Sequence, residues 1–181
     1  MKTTKEKPTE SLTIKLVIGS LSIDLGAEMV CSIVDNYPDK KTSRGFFAKL
    51  AKFPSYKVRS AVAAKDQLDE ETVNFLANCT EKEILSSLLR SDSARACLTT
   101  KQLVGFIEKD AELASEIVDR LDSFKTADSD ELATMMMTHS DSAVRYSLAN
   151  AYETPKAILR KLAKDTDPDV ARAADARLKD E

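Results

Sequence analysis

Short stripes of apolar residues at helical spacing, each closed by a polar turn, run along most of this chain. They come in pairs. A first helix is followed by a short turn and a second helix that carries a Leu-Ala pair or its equivalent. The first pair is predicted over residues 25–37 and 43–53, with Pro38 and Pro54 closing the two helices. The second runs from Val58 to Cys79. The third starts near Ile84 and resumes, after a longer connection over residues 91–100, with Leu103, Phe106 and Ile107. The fourth holds Ile117, Val118 and Leu121, then Leu132, Met135 and Met136. The fifth holds Val144 and Leu148, then Ile158, Leu159, Leu162 and Ala163. A polar, alanine-rich helix over residues 168–179 reads as a terminal cap. Residues 1–10 are polar, contain Pro8 and read as a flexible tail. Residues 11–181 read as one helical-repeat domain of about five helix pairs plus the capping helix.

The pattern repeats itself without a gap after 86 residues. Val58 falls on Val144, Arg59 on Arg145, Ala63 on Ala149, Val73 on Leu159, Leu76 on Leu162, Ala77 on Ala163 and Ile84 on Val170. The string KLAK stands at 49–52 and again at 161–164. Self-similarity at a fixed period marks stacked units that bury their apolar faces against one another. Turn chemistry agrees. Asp167-Pro168 and Thr154-Pro155 place a capping residue before a proline at the first helical position. Ser129 or Asp130, and Ser140 or Asp141, can cap the helices that follow them.

Residues 11–25 carry two patterns at once. Leu12, Ile14, Leu16 and Ile18, then Gly19-Ser20, then Leu21, Ile23 and Leu25 spell a β-hairpin. Ile14, Val17, Ile18, Leu21 and Leu25 also fit helical spacing, and the apolar pattern continues to Val34. That continuity tips the reading towards helix, with the hairpin as the alternative.

Within residues 144–174, VRYSLANAYETPKAILRKLAKDTDPDVARAA resembles the leucine-rich repeat variant family. The stretch VRSAVAAKDQLDEETVNFLA, residues 58–77, is similar but has Asp69 where the family pattern has proline. The clear likeness covers about a third of the chain. It implies a right-handed all-α solenoid of paired helices, akin to HEAT and armadillo repeats, with no catalytic residues and no shared ligand. The family's founding member carries an iron–sulfur cluster on a separate cysteine cluster. This chain has no such cluster, so no cofactor is expected.

Composition narrows the function. Gly and Pro are scarce at 4 and 5, against an all-β fold that needs many turns. The three cysteines, Cys31, Cys79 and Cys97, are far apart and lack metal-ligand spacing, so they read as free thiols of a cytoplasmic protein. Lys15, Asp24 and Glu28 interrupt the apolar stretch 12–34, which excludes a membrane span there. That stretch is left either to cap the helical body or to form a homodimer contact. The net charge of −3 hides a polarised molecule. Lys40, Lys41, Arg44, Lys49, Lys52, Lys57, Arg59 and Lys65 follow one another with no Asp or Glu between them. Acidic residues outnumber basic ones from Asp66 to Ala143.

The basic block is interleaved with Phe46, Phe47, Phe53 and Tyr56. Such a pattern can follow a phosphate backbone and stack on bases, or meet an acidic protein. It is also what two amphipathic helices with solvated lysines and a phenylalanine core would show. His139, the only histidine, stands in the turn THSDS without Cys or Glu at ligand spacing, and reads as a surface residue. Met135 and Met136 read as core at the Leu-Ala positions, with Met137 partly exposed. The recurrence of Arg59 and Arg145 suggests a structural bond to a neighbouring turn or carboxylate. No glycine-rich phosphate loop or paired-carboxylate motif is present. The expected function is a non-catalytic protein–protein interaction scaffold. The alternative is binding of nucleic acid or another polyanion through residues 40–65.

Overall fold

The computed structural model describes residues 12–179. Among them are twelve α-helices, two 3-10 turns and one two-stranded antiparallel sheet. Strands β1 (Lys15–Ile18) and β2 (Leu21–Asp24) precede helices α1 (Ala27–Asn36), α2 (Arg44–Leu50), α3 (Tyr56–Ala63), α4 (Glu70–Ala77) and α5 (Lys82–Arg90). Then come α6 (Asp92–Arg95), α7 (Thr100–Lys109), α8 (Ala111–Val118), α9 (Ser129–Met137), α10 (Ser142–Asn150), α11 (Lys156–Leu162) and α12 (Pro168–Lys179). The tail assigned to residues 1–10 lies outside the described residues.

The helical reading of residues 11–25 is corrected over its described part. The chain forms a hairpin in which Lys15 pairs with Asp24, Leu16 with Ile23, Val17 with Ser22 and Ile18 with Leu21. Gly19 decides between the two patterns. Its φ of 59° is the left-handed value that a two-residue II′ loop reserves for glycine at its first central position. A glycine there weakens a helix and favours the turn.

Beyond the hairpin, alternate helices pack on one another in two series. α1 packs on α3, α3 on α5, α5 on α8, α8 on α10 and α10 on α12. In the second series α2 packs on α4, α7 on α9, α9 on α11 and α11 on α12. Neighbours in sequence join the series, as α3 meets α4, α7 meets α8 and α9 meets α10. One apolar cluster fills the space between them, from Val30 to Ala174. At the repeat-matched positions Val58, Val144, Ala63, Ala149, Val73, Leu159, Ile84 and Val170 are fully buried. Helices this short do not persist alone in water. Burial supports them, at about 1.5–3 kcal/mol for each large apolar side chain removed from solvent.

Polar side chains fix where each helix begins. Asp69 accepts from the Thr72 amide at 2.8 Å, and Thr99 forms a reciprocal capping box with Gln102. Asp110, Asp128 and Asp141 cap α8, α9 and α10. Asp167 accepts from the Asp169 amide at 2.9 Å, one residue past Pro168. Two caps differ from expectation. Asp128, not Ser129 or Asp130, opens α9, and the Ser129 hydroxyl donates to the Leu121 carbonyl instead. Thr154 is buried and donates its hydroxyl back to the Leu148 carbonyl at 2.6 Å, tying α11 to the end of α10. The long connection at 91–100 also holds the extra helix α6, capped by Ser91 and anchored by buried Ala94.

Candidate interaction surface

The basic block is spread along the α2–α3 pair. α2 and α3 are joined by a five-residue turn, so Lys49, Lys52 and Lys57 gather at the end where α2 stops and α3 starts. Lys40, Lys41 and Arg44 precede or open α2, and Lys65 follows α3, which puts them towards the other end. The length of α3 separates Lys57 from Lys65 by about 12 Å of helix rise. Several members already have partners. Lys65 donates to the Asp35 carbonyl at 3.1 Å and lies 6.0 Å from the Phe47 ring. The interleaved aromatics are mostly internal. Phe47 and Phe53 are buried, and Phe46 stacks on Tyr37 at 4.1 Å. Tyr56 alone of that set stays strongly exposed.

Arg59 and Arg145 serve the fold, in the same way at both places. Arg145 Nη1 donates to the His139 and Ser140 carbonyls at 2.7 and 3.2 Å. Its Nε and Nη2 grip both oxygens of Asp165 at 2.8 and 2.9 Å. Arg59 donates to the Phe53 and Pro54 carbonyls at 2.8 and 2.7 Å and pairs with Glu81. Each arginine thus staples the turn before its own helix and reaches the start of the next helix in its series. Arg145 holds the Asp165 carboxyl below the ordinary carboxylate range, chiefly through these hydrogen bonds. Arg95 repeats the first half of the arrangement only. It donates to the Leu89 carbonyl at 2.8 Å, but its carboxylate partner is Asp92 of its own short helix.

The cysteines and the histidine are held by the fold. Burial is the largest influence on Cys31, Cys79 and Cys97, and it pushes all three thiols up, away from the reactive thiolate. His139 Nδ1 accepts from the Asp141 amide at 3.1 Å, and its carbonyl receives Arg145. No group of three or more His, Cys, Asp or Glu among the described residues is placed to hold a metal. The methionine reading needs correction. Met136 is buried with Leu132 and Ala133, Met137 packs against the core, and Met135 is only half-buried. The apolar stripe of α9 is therefore shifted by one residue from the expected register.

A groove of about 500 Å³ opens between α4 and α7. Its floor is apolar, from Ala77, Leu85 and Phe106, and polar side chains stand around it. Gln102 Nε2 donates to Asn74 Oδ1 at 2.9 Å across it, and Lys109 Nζ reaches the Cys79 carbonyl at 3.5 Å. Asn78, Thr80, Thr99 and Lys101 also line it. Beside it Phe75 is 42% exposed, and the Lys52 ammonium stands 5.9 Å from its ring centre. Lys52 thus meets α4 at Phe75, next in sequence to the groove residue Asn74, and neither Lys40 nor Lys41 lines the groove. Phe75 was open to detection in the sequence. It falls beside Leu76 and Ala77 but off the stripe that Val73, Leu76 and Ala77 define, and its repeat equivalent is exposed Lys161. The groove itself has no sequence signature, because α4 and α7 are separated by two other helices.

No helix among the described residues is long and apolar enough to cross a membrane. Comparison with family models, curated proteins and solved structures returns no match.

Proposed function

We propose that the chain is a non-catalytic protein-interaction module, a right-handed solenoid of paired helices, and that its partner is an acidic protein segment. Three things support the architecture. The alternate helices pack in series, the motif recurs after 86 residues, and residues 144–174 resemble the leucine-rich repeat variant family. The observation that carries the partner is Phe75. A large aromatic ring left 42% exposed, with a lysine against it and, on the same helix, a groove with an apolar floor rimmed by amides and lysines, has the composition of a contact centre. Asn74, Asn78 and Gln102 supply both donors and acceptors for a partner's main chain. Lys52, Lys101 and Lys109 favour carboxylates around it.

Fluorescence anisotropy tests the proposal, using labelled acidic peptides and single- and double-stranded oligonucleotides from low to physiological salt. Acidic peptides are expected to bind, and Phe75→Ala or Lys52→Glu to weaken them at least tenfold with the helical circular dichroism intact. Oligonucleotide binding that persists at physiological salt, and is lost in the Lys49→Glu, Lys52→Glu, Lys57→Glu triple variant, overturns it in favour of the polyanion reading. Absence of peptide binding at any salt overturns the acidic-segment assignment.

A further inference from the structure

The hairpin has one polar and one apolar face. Cross-strand partners and alternate residues share a face, so Leu16, Ile18, Leu21 and Ile23 stand together on one side. Val17, Ser22 and the Lys15–Asp24 ion pair, at 3.5 Å, occupy the other. Leu12 and Ile14 precede β1 on the apolar side, and the Leu25 amide donates to the Ile14 carbonyl at 2.8 Å, extending the ladder. Leu12, Ile14 and Leu25 pack against the helical core. The face therefore begins inside the molecule and runs out beyond it. Exposure rises along the overhang, from 46% and 47% at Ile23 and Leu16 to 56% and 62% at Leu21 and Ile18. An isolated two-stranded hairpin is marginally stable in water, and this one leaves its apolar side bare.

We propose that this overhanging face is the contact through which two copies of the chain pair, hairpin on hairpin about a two-fold axis. The proposal stands independently of the groove at Phe75. The area fits. Four side chains at this exposure present roughly 400 Å² per copy, within the size of the largest patches on soluble monomers. Doubled, and with a surrounding rim, they reach about 1,000 Å², the lower limit for a specific interface. The shape fits as well, since two apolar sheet faces stack about 10 Å apart with their side chains between them. No charged group stands on the face, so a two-fold arrangement brings no like charges together. The other occupants lack what the face needs. Residues 1–10 contain no large apolar side chain except Met1. On the strands themselves the one cation, Lys15, is paired with Asp24, so the strands bring no free positive charge to an anionic lipid surface.

Sedimentation equilibrium of the full chain, from roughly 1 to 200 µM, tests the pairing over the range where an interface of this size exchanges. The expected mass rises with concentration from 19.9 kDa to twice that value. Ile18→Lys with Leu21→Lys should raise the dissociation constant at least tenfold, because both sites bring like charges onto the axis. Both side chains are exposed, so the helical circular dichroism should not change. Tyr146→Lys, an aromatic-to-lysine change at a 47% exposed position on α10, should leave the dimer intact. A mass of 19.9 kDa at every concentration overturns the proposal, and so does a dimer that survives the double substitution. A monomeric chain that floats with phosphatidylglycerol vesicles overturns it in favour of a lipid surface.

Discussion

Among the ion pairs of the described residues, Arg145 and Asp165 are the most buried, with side chains only 13% and 9% exposed. Asp165→Asn is expected to lower stability by roughly 2 kcal/mol at neutral pH, the scale of a hydrogen-bonded charge losing its counter-charge. The loss should depend on acidity. In the folded chain Arg145 keeps the Asp165 carboxyl ionised below its ordinary range. The unfolded chain takes up that proton near pH 4. The contribution is therefore complete above about pH 4 and disappears as pH falls through the lower folded-state value. Urea titrations of wild type and variant followed by circular dichroism should diverge at pH 7 and converge towards pH 2. A gap that stays constant across that range would assign the loss to packing. The sequence exposed the recurrence of this arginine but not its partner. Glu81 and Asp165 lie 22 and 20 residues downstream, at positions the 86-residue period does not align. Phe75 shows the reverse limit, because its place off the stripe was visible while the groove beside it depends on two helices brought together only by folding.

At the scale of elements, α12 closes both helical series, packing on α10 and on α11. A chain truncated after Asp165 loses buried Val170 and Ala174 and uncovers the apolar stripes beneath them. It is expected to lose at least about 3 kcal/mol and to bind a hydrophobic dye. Unchanged urea midpoints would show that the stack needs no cap. The start of α12 was legible because aspartate and proline coincide there. The hairpin was not resolved from its sequence, since its apolar residues satisfy periods of both two and 3.6, and one glycine outweighs the rest. Helix α6 was missed for a simpler reason. Four residues with one buried alanine carry too little periodicity to register.

Across the whole molecule, side-chain bonds between neighbouring units span similar short stretches of chain. Ser60 meets Ser87, Ser86 donates to Glu116, and Ser115 meets Ser147, over 27 to 32 residues. Contacts this local favour rapid folding. Stopped-flow refolding followed by circular dichroism should show a main phase in milliseconds, and a main phase lasting seconds would contradict a structure closed by neighbours alone. The basic residues read from composition lie along the α2–α3 pair, at both of its ends. The arginine staples give the molecule a direction in time. Arg59 waits for Glu81 and Arg145 for Asp165, so each lock is completed by residues that leave the ribosome later. A nascent chain would therefore gain its hold in steps, each unit secured once about twenty more residues have emerged. A nascent chain halted after the arginine's helix has emerged, but before Glu81 or Asp165 has, would hold that unit without its latch.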